Sequence, residues 1–331
     1  MTSAEAKNFL PERKGGLFSR RRTRNLVLVV PRMKHLRYPE KDFQRIAEYV
    51  HAAAPDVRPW VIDDRRSAAH RLGLLLRPSF FFSTTATKRL KVLRGTLLAS
   101  NYMPKSQEYL AMEKVGIPVP RWYLLTEKNS PDVKSLGEYV VVKPDCGGRG
   151  AEVRIKRAAR VRWKAPTNAR AVSMNQLDLI AQRFIYTGPW PVSYRVTTLF
   201  GKTLFAWQAR ADSKRQALLG PDRFENGGLS ICSMGQGCKF ELCNDREIID
   251  LGERVHQAFP RNPLLGIDIV REQPTGKLYV IEVNSCGQVW HFSSPMGCGI
   301  QRESKIDFES QFNGIRKAAD ILIEQTRFLA R

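Results

Sequence analysis

Long apolar runs are missing from this sequence. Across 331 residues none approaches the ~18 residues of a membrane-spanning helix, so no transmembrane segment is expected. Cysteine is scarce: six residues with no Cys-x-x-Cys pair and no even framework, which points to reduced thiols in a cytoplasmic protein. The spacing of Cys232, Cys238 and Cys243 matches no ordinary zinc motif, and the five histidines form no His-Glu-x-x-His, so zinc chemistry is not expected. Acidic residues are under-represented, 32 against 54 Lys and Arg, for a net charge of +22. That balance suits polyanions, nucleotides or acidic substrates, or else a solvated basic surface. The excess is partly local, in 13–24 and 154–170. "SRRRTRNLVLVV" (19–30) mimics the opening of an export signal, but its apolar run is short and stops at "PRMK"; it reads as a first strand behind a basic tail, residues 1–24.

Beyond the tail, "LVLVV" (26–30), "RPWVI" (58–62) and "SFFFS" (79–83) read as buried strands. "EKDFQRIAEYVHAAA" (40–54) spaces Phe43, Ile46, Ala47 and Val50 as one helical face. Strand, helix, strand is the pattern of a parallel α/β unit, here expected over 25–117 and closed by a helix in "KSQEYLAMEKVG" ending at Gly116. From 139 the texture changes to strands joined by tight turns, and residues 118–331 are expected to form a second, α+β domain with a subdomain boundary near 182–188. "EYVVVKP" (138–144) is one strand, and 193–211 a hairpin turning at Gly201-Lys202. A helix over 244–259 is expected with Asn244 as its cap, and a last helix over 306–329 buries Phe308, Phe312, Ile315, Ala319 and Leu322. There is no internal repeat.

Three segments carry candidate chemistry. In "LLGIDIV…KLYVIEVN", a register centred on Thr275 puts Asp268 across from Glu282, on one face with Asn284. Facing carboxylates repel unless a cation lies between them, and oxygen ligands without His or Cys favour Mg²⁺ or Mn²⁺. The alternative is the polar side of an ordinary hairpin, and a one-residue slip would break the set. In the first hairpin, the same reasoning pairs Arg195 with Gln208 and Ser193 with Arg210 on one face. Tyr194, Val196, Phe205 and Trp207 then belong to a core on the other. Two arginines there suit phosphate oxygens, or are surface residues without a ligand. In "VVVKPDCGGRGAEV" (140–153), Lys143 ends a strand before a turn of Gly147, Gly148 and Gly150, whose backbone N–H groups can close on an anion. It is neither a Walker A motif nor a Rossmann fingerprint. Together the segments suit a nucleoside triphosphate with magnesium. "AQRFIYTG" (181–188) is a candidate hinge to a purine edge. Cys146 and Cys286 border the same region; a Cys–His nucleophile with His291 is the competing reading, against inert packing.

The order of these motifs resembles the ATP-grasp superfamily, nearest the branch of glutathione synthetase and the ribosomal-protein glutamate ligases. The resemblance covers about 105–290, and "GIPVPRW" (116–122) is similar to the usual opening of the domain. It implies a fold of two α+β subdomains clasping ATP behind a small parallel α/β domain. It implies that Lys143 holds ATP phosphates and that Gln182, Arg183 and Phe184 meet adenine. It further implies that Arg210 and Arg195 lie near the triphosphate, and that Asp268, Glu282 and Asn284 ligate Mg²⁺. Lys143 and Arg210 would be the catalytic charges. "FENGG" (224–228) resembles a glycine loop over the phosphates. Three positions depart from the branch: Ser193 and Arg183 stand where relatives carry acids, and "NSCGQ" replaces Asn-x-x-Pro-Gly.

The implied reaction joins a small-molecule or peptide carboxylate to an amine, through an acyl-phosphate, with release of ADP and phosphate. The other function classes are a non-catalytic ATP-binding regulator and a nucleic-acid-binding protein acting through its basic segments.

Overall fold

The computed structural model describes residues 23–31, 39–63, 74, 76–87, 90, 92, 94–148, 150–214, 224–225, 237–285 and 289–331. The chain opens with β1 (Arg24–Val30), α1 (Glu40–Ala53), β2 (Val57–Asp63), β3 (Ser79–Ser83) and β4 (Thr96–Ala99). These four strands form one parallel sheet in the order β2-β1-β3-β4. Strands of such a sheet are covered on both faces, which is why β1 and β3 are unbroken apolar runs rather than alternating ones. Leu26, Leu28, Phe80 and Phe82 pack against Phe43, Ile46 and Val50 of α1, while Val27, Val29 and Phe81 face a second core.

The next section holds α2 (Lys105–Lys114), β5 (Trp122–Leu125), β6 (Tyr139–Pro144), β7 (Arg154–Arg157), α3 (Ala169–Ser173) and β8 (Leu179–Arg183). It is followed by β9 (Val192–Leu199), β10 (Lys202–Ala211), β11 (Phe224–Glu225), β12 (Cys238–Leu242), α4 (Arg246–Val255), β13 (Leu264–Arg271) and β14 (Leu278–Asn284). Two antiparallel sheets result, ordered β11-β7-β6-β8-β5 and β12-β10-β9-β13-β14. The expected α/β class, with an α+β portion after the parallel sheet, is therefore present. The cap of α4 differs from the expectation: Asp245 accepts from the Glu247 and Ile248 amides, and Asn244 instead accepts from Gln311.

Three helices close the chain: α5 (Pro295–Ser304), α6 (Phe308–Phe312) and α7 (Gly314–Leu329). The single helix expected over 306–329 is broken at Asn313, which adopts a left-handed φ of 52°. Gly314 follows because a Cβ there would sit 2.4 Å from the Phe292 ring. The break lets Phe308 stack on Phe205 while Ile315, Ala319 and Leu322 turn toward the parallel sheet. Thus α7, placed by sequence with residues 118–331, shares a core with β1 and β3. Arg327 pairs with Asp56, and Thr96 Oγ1 donates to the Leu329 carbonyl at 2.7 Å. Among the described residues no helix is long and apolar enough to cross a membrane.

Candidate nucleotide-binding cleft

The two antiparallel sheets face each other across a cleft of about 1190 Å³, part of it open to solvent. Lys143, Gln182 and Phe184 line it from one sheet, and Arg195, Trp207, Asp268, Glu282 and Asn284 from the other.

The carboxylates come together through a bulge. Near its turn the second hairpin pairs Arg271 with Leu278 and Ile269 with Val280, a register that would carry Glu282 past Asp268. Ile281 is the extra residue, and beyond it Asp268 lies opposite Glu282 and Gly266 opposite Asn284. Asn284 Nδ2 donates to Asp268 Oδ2 at 3.1 Å. On its other side Asp268 is in register with Arg195 of β9, whose guanidinium grips both carboxylate oxygens. Trp207, Arg195, Asp268 and Glu282 therefore form one row across β10, β9, β13 and β14.

The first hairpin has another register than the sequence suggested. Its turn residues are Phe200 and Gly201, with φ of 47° and 77°, and a bulge at Leu204 shifts the pairing again. Arg195 faces Trp207 rather than Gln208, and Arg210 faces Val192 rather than Ser193. Side-chain alternation then sets Arg195 and Arg210 on opposite faces. Arg210 is exposed, with its guanidinium over Trp190, and is not brought to the cleft. Tyr194 and Val196 do enter a core, beneath α4, but Phe205 and Trp207 belong to the face of Arg195.

Lys143 is buried at the end of β6. Its Nζ donates to the Ile281 carbonyl at 2.8 Å and to the Tyr109 hydroxyl at 3.0 Å. Burial pushes its ammonium down to about 8, with Glu282 opposing the shift. A second lysine, Lys105, was not singled out by sequence. Its Nζ lies 3.1 Å from Glu282 Oε1 and 3.4 Å from the Gly147 carbonyl. Burial works against that charge, but Glu282 and Glu108 outweigh it and raise the Lys105 pKa. Its signal in the sequence was a cation in the first turn of a helix, where the dipole disfavours one. Asp145 offsets this by capping α2 from the glycine segment, accepting from the Ser106 amide at 2.7 Å and its hydroxyl at 2.9 Å.

The carboxyls are shifted in opposite directions. Burial would raise Glu282, but Lys105 and Lys143 outweigh it and hold it below the usual range. Burial raises Asp268 in spite of Arg195, and raises fully enclosed Glu108 well above the ordinary value. No three His, Cys, Asp or Glu side chains cluster for a metal among the described residues. The set here is instead two opposed carboxylates and an amide, each carboxylate already facing a cation. Two carboxylates and an amide oxygen are donors of the kind Mg²⁺ or Mn²⁺ takes, while here Arg195 grips both Asp268 oxygens and Asn284 turns its Nδ2 to Asp268.

Of the glycine turn, Gly150 lines the cleft with φ 69°, while the Gly147 amide donates to Tyr102 at 3.2 Å. A Cβ on Gly148 would meet nothing within 4 Å. Glu152, itself left-handed at φ 59°, anchors the turn by accepting from Thr167 and Asn168. In the hinge, Gln182 and Phe184 face the cleft, but Arg183 turns away to Glu272 and Tyr279. Cys146 is buried and meets Gln176, and His291 is buried against Ser294; Cys286 and Cys232 lie outside the described residues, as does most of 224–228.

The comparisons agree with this architecture. The model of the ATP-grasp domain matches residues 103–286, more than half of the chain. The ATP-grasp ligase PsnB in complex with a minimal precursor superposes with a TM-score of 0.53 at 16% identity, over 90% of this chain and 99% of that one. A RiPP-associated ATP-grasp ligase from Chryseobacterium gregarium, in complex with ADP and a leader and core peptide, gives 0.50 at 10% identity, over 92% and 97%. D-alanine–D-alanine ligase from Bacillus anthracis gives 0.46 at 13% identity, over 91% and 99%. No curated protein matches the chain. The first two likenesses speak for the fold and do not single out the glutathione synthetase branch. By the domain match, the chain belongs to the ATP-grasp family.

Proposed function

We propose that the protein is an ATP-dependent ligase that joins a carboxylate to an amine and releases ADP and phosphate. The observation that carries this reading is the convergence, in one cleft, of Lys143 and Arg195 with Asp268, Glu282 and Asn284, with Lys105 paired to Glu282. The set holds no serine, threonine or cysteine, and Lys105, Arg195, Asp268 and Glu282 are engaged in ion pairs. The chemistry it favours is phosphoryl transfer between bound reactants, with catalysis by positioning and charge neutralisation. A substrate carboxylate oxygen attacks the γ-phosphorus, the bond to the β–γ bridging oxygen breaks, and ADP departs. The amine nitrogen then attacks the acyl carbon, loses a proton, and expels phosphate. Lys143 and Lys105 supply fixed positive charge to the phosphates, and Gln182 and Phe184 place the base. Asp268, Glu282 and Asn284 would hold Mg²⁺, which supplies further neutralisation of the triphosphate. The motif order supports the glutathione synthetase-like branch. The peptide complexes of the structural neighbours support a peptide as one of the reactants.

The test is ADP release from Mg²⁺-ATP with panels of carboxylic acids and amines, repeated with hydroxylamine as the amine. Release that requires an acid, with hydroxamate formed in step, supports the acyl-phosphate route. Tight ATP binding with no release for any pair overturns it in favour of a non-catalytic nucleotide binder.

A further inference from the structure

Tyr109 is completely buried in α2, a helix that contributes no strand to either jaw of the cleft. Its hydroxyl nevertheless meets three other elements. It accepts from Lys143 Nζ of β6 at 3.0 Å and lies 2.6 Å from Gln182 Oε1 of β8 and 2.7 Å from the Ile281 carbonyl of β14. The ring is braced by Trp122 at 5.4 Å and sits within the core beneath the hairpins.

The proton inventory constrains the arrangement. A tyrosine has one hydroxyl proton, and a lysine ammonium has three. Lys143 already donates to the Ile281 carbonyl, so the Tyr109 proton satisfies every acceptor when it goes to Gln182. Two of the three Lys143 donors are then fixed and one is left for the cleft that Lys143 lines. The Ile281 carbonyl belongs to the bulged residue of β14, which stands outside the regular pairing with β13.

We propose that Tyr109 is a positioning residue for the nucleotide: its hydroxyl holds the Lys143 ammonium against the Ile281 bulge and so joins the two jaws at the phosphate end. Without the hydroxyl, one Lys143 donor loses its partner, Gln182 Oε1 is left buried without a donor, and the ammonium can leave the position from which it meets phosphate. This inference rests on the nucleotide reading above.

The test is calorimetric titration of the full chain and of Tyr109→Phe with Mg²⁺-ATP, ADP and adenosine, with a thermal melt of each protein. The variant keeps the ring and removes only the oxygen. Kd for ATP and ADP should rise on the order of tenfold or more, the scale of a hydrogen bond to a charged group. Kd for adenosine, whose base meets Gln182, should rise by clearly less than Kd for ATP, because adenosine makes no contact with Lys143. In a Lys143→Met background the same substitution should add little, because the two residues act as one unit. Equal weakening of adenosine and ATP, additive losses in the double variant, or failure of Tyr109→Phe to fold would make the hydroxyl merely structural and overturn the proposal. Unchanged ATP affinity in a folded variant overturns it alone. A wild-type protein that binds no nucleotide overturns the functional reading as well.

Discussion

Replacing Glu282 by Gln separates the metal role proposed for this carboxylate from its structural one. The substitution keeps the shape and removes the charge. Lys105 Nζ lies 3.1 Å from Glu282 Oε1, with both side chains mostly enclosed. At an effective dielectric of ~20, Coulomb's law puts their attraction at about 5 kcal/mol before desolvation is counted. Breaking a buried pair typically costs about 3–5 kcal/mol, and Lys105 retains Glu108 nearby, so a loss near the lower end, about 3 kcal/mol, is expected. The melting temperature should fall by several degrees while the fold persists. The functional consequences differ in sign. Removing a negative charge beside Lys105 and Lys143 should leave metal-free ATP binding no weaker than in the wild type. Mg²⁺-dependent ADP release should nevertheless drop by about 10²–10³, the usual cost of one preorganised electrostatic partner. Adding Asn284→Ala should abolish it. The assays are coupled ADP release with and without Mg²⁺, calorimetry in chelator, and a thermal melt. Undiminished Mg²⁺-dependent turnover in the double variant would refute the metal assignment; ATP binding lost in parallel with turnover would show a collapsed site instead.

Other expectations follow from the same geometry. Burial holds the Lys143 pKa to about 8 in the folded protein against 10.5 unfolded. Metal-free ATP affinity should therefore decline above about pH 8, and titrations of Lys143→Met should show no such decline. The cost of burying that charge is fully present below about 8 and is relieved as pH rises toward 10.5. His256 is pushed down to about 4 by burial, from 6.5. Between those values the unfolded chain takes a proton that the folded one refuses. Urea midpoints should thus show stability falling by about 1.4 kcal/mol per pH unit as pH drops through that window, less steeply in His256→Phe. A Cβ on Gly297 would lie 1.8 Å from the His291 carbonyl, so Gly297→Ala should cost more than the usual ~1–3 kcal/mol of overpacking and displace the start of α5. Denaturant melts would read this directly, and a wild-type midpoint would exclude the contact.

Much of this protein was legible in its residue pattern. Buried parallel strands are unbroken apolar runs, so β1 and β3 could be read without partners, and α1 from its spacing of Phe43, Ile46 and Val50. The Asp268–Glu282 pairing was legible for a less general reason. The turn alone would have placed the strands one residue out, and the bulge at Ile281 restores the alignment. The mirror case failed: the bulge at Leu204 and a turn at Phe200-Gly201 put Trp207, not Gln208, beside Arg195. Bulges come from packing across the sheet, which local pattern does not encode. Lys105 shows the same limit. Its position at the head of a helix is visible in the chain, but its pairing with Glu282 exists only after distant segments meet.

The sequence by itself determined the class of the fold, the order of the motifs and the chemistry of the candidate site, because periodicity and residue type act locally. Only the tertiary structure decided which charges share the cleft. It set Lys105 against Glu282 and Tyr109 against Lys143, turned Arg183 toward Glu272, left Arg210 over Trp190, and carried α7 back onto the first sheet. Those outcomes depend on strand register and on burial, and both are set by contacts between residues far apart in the chain.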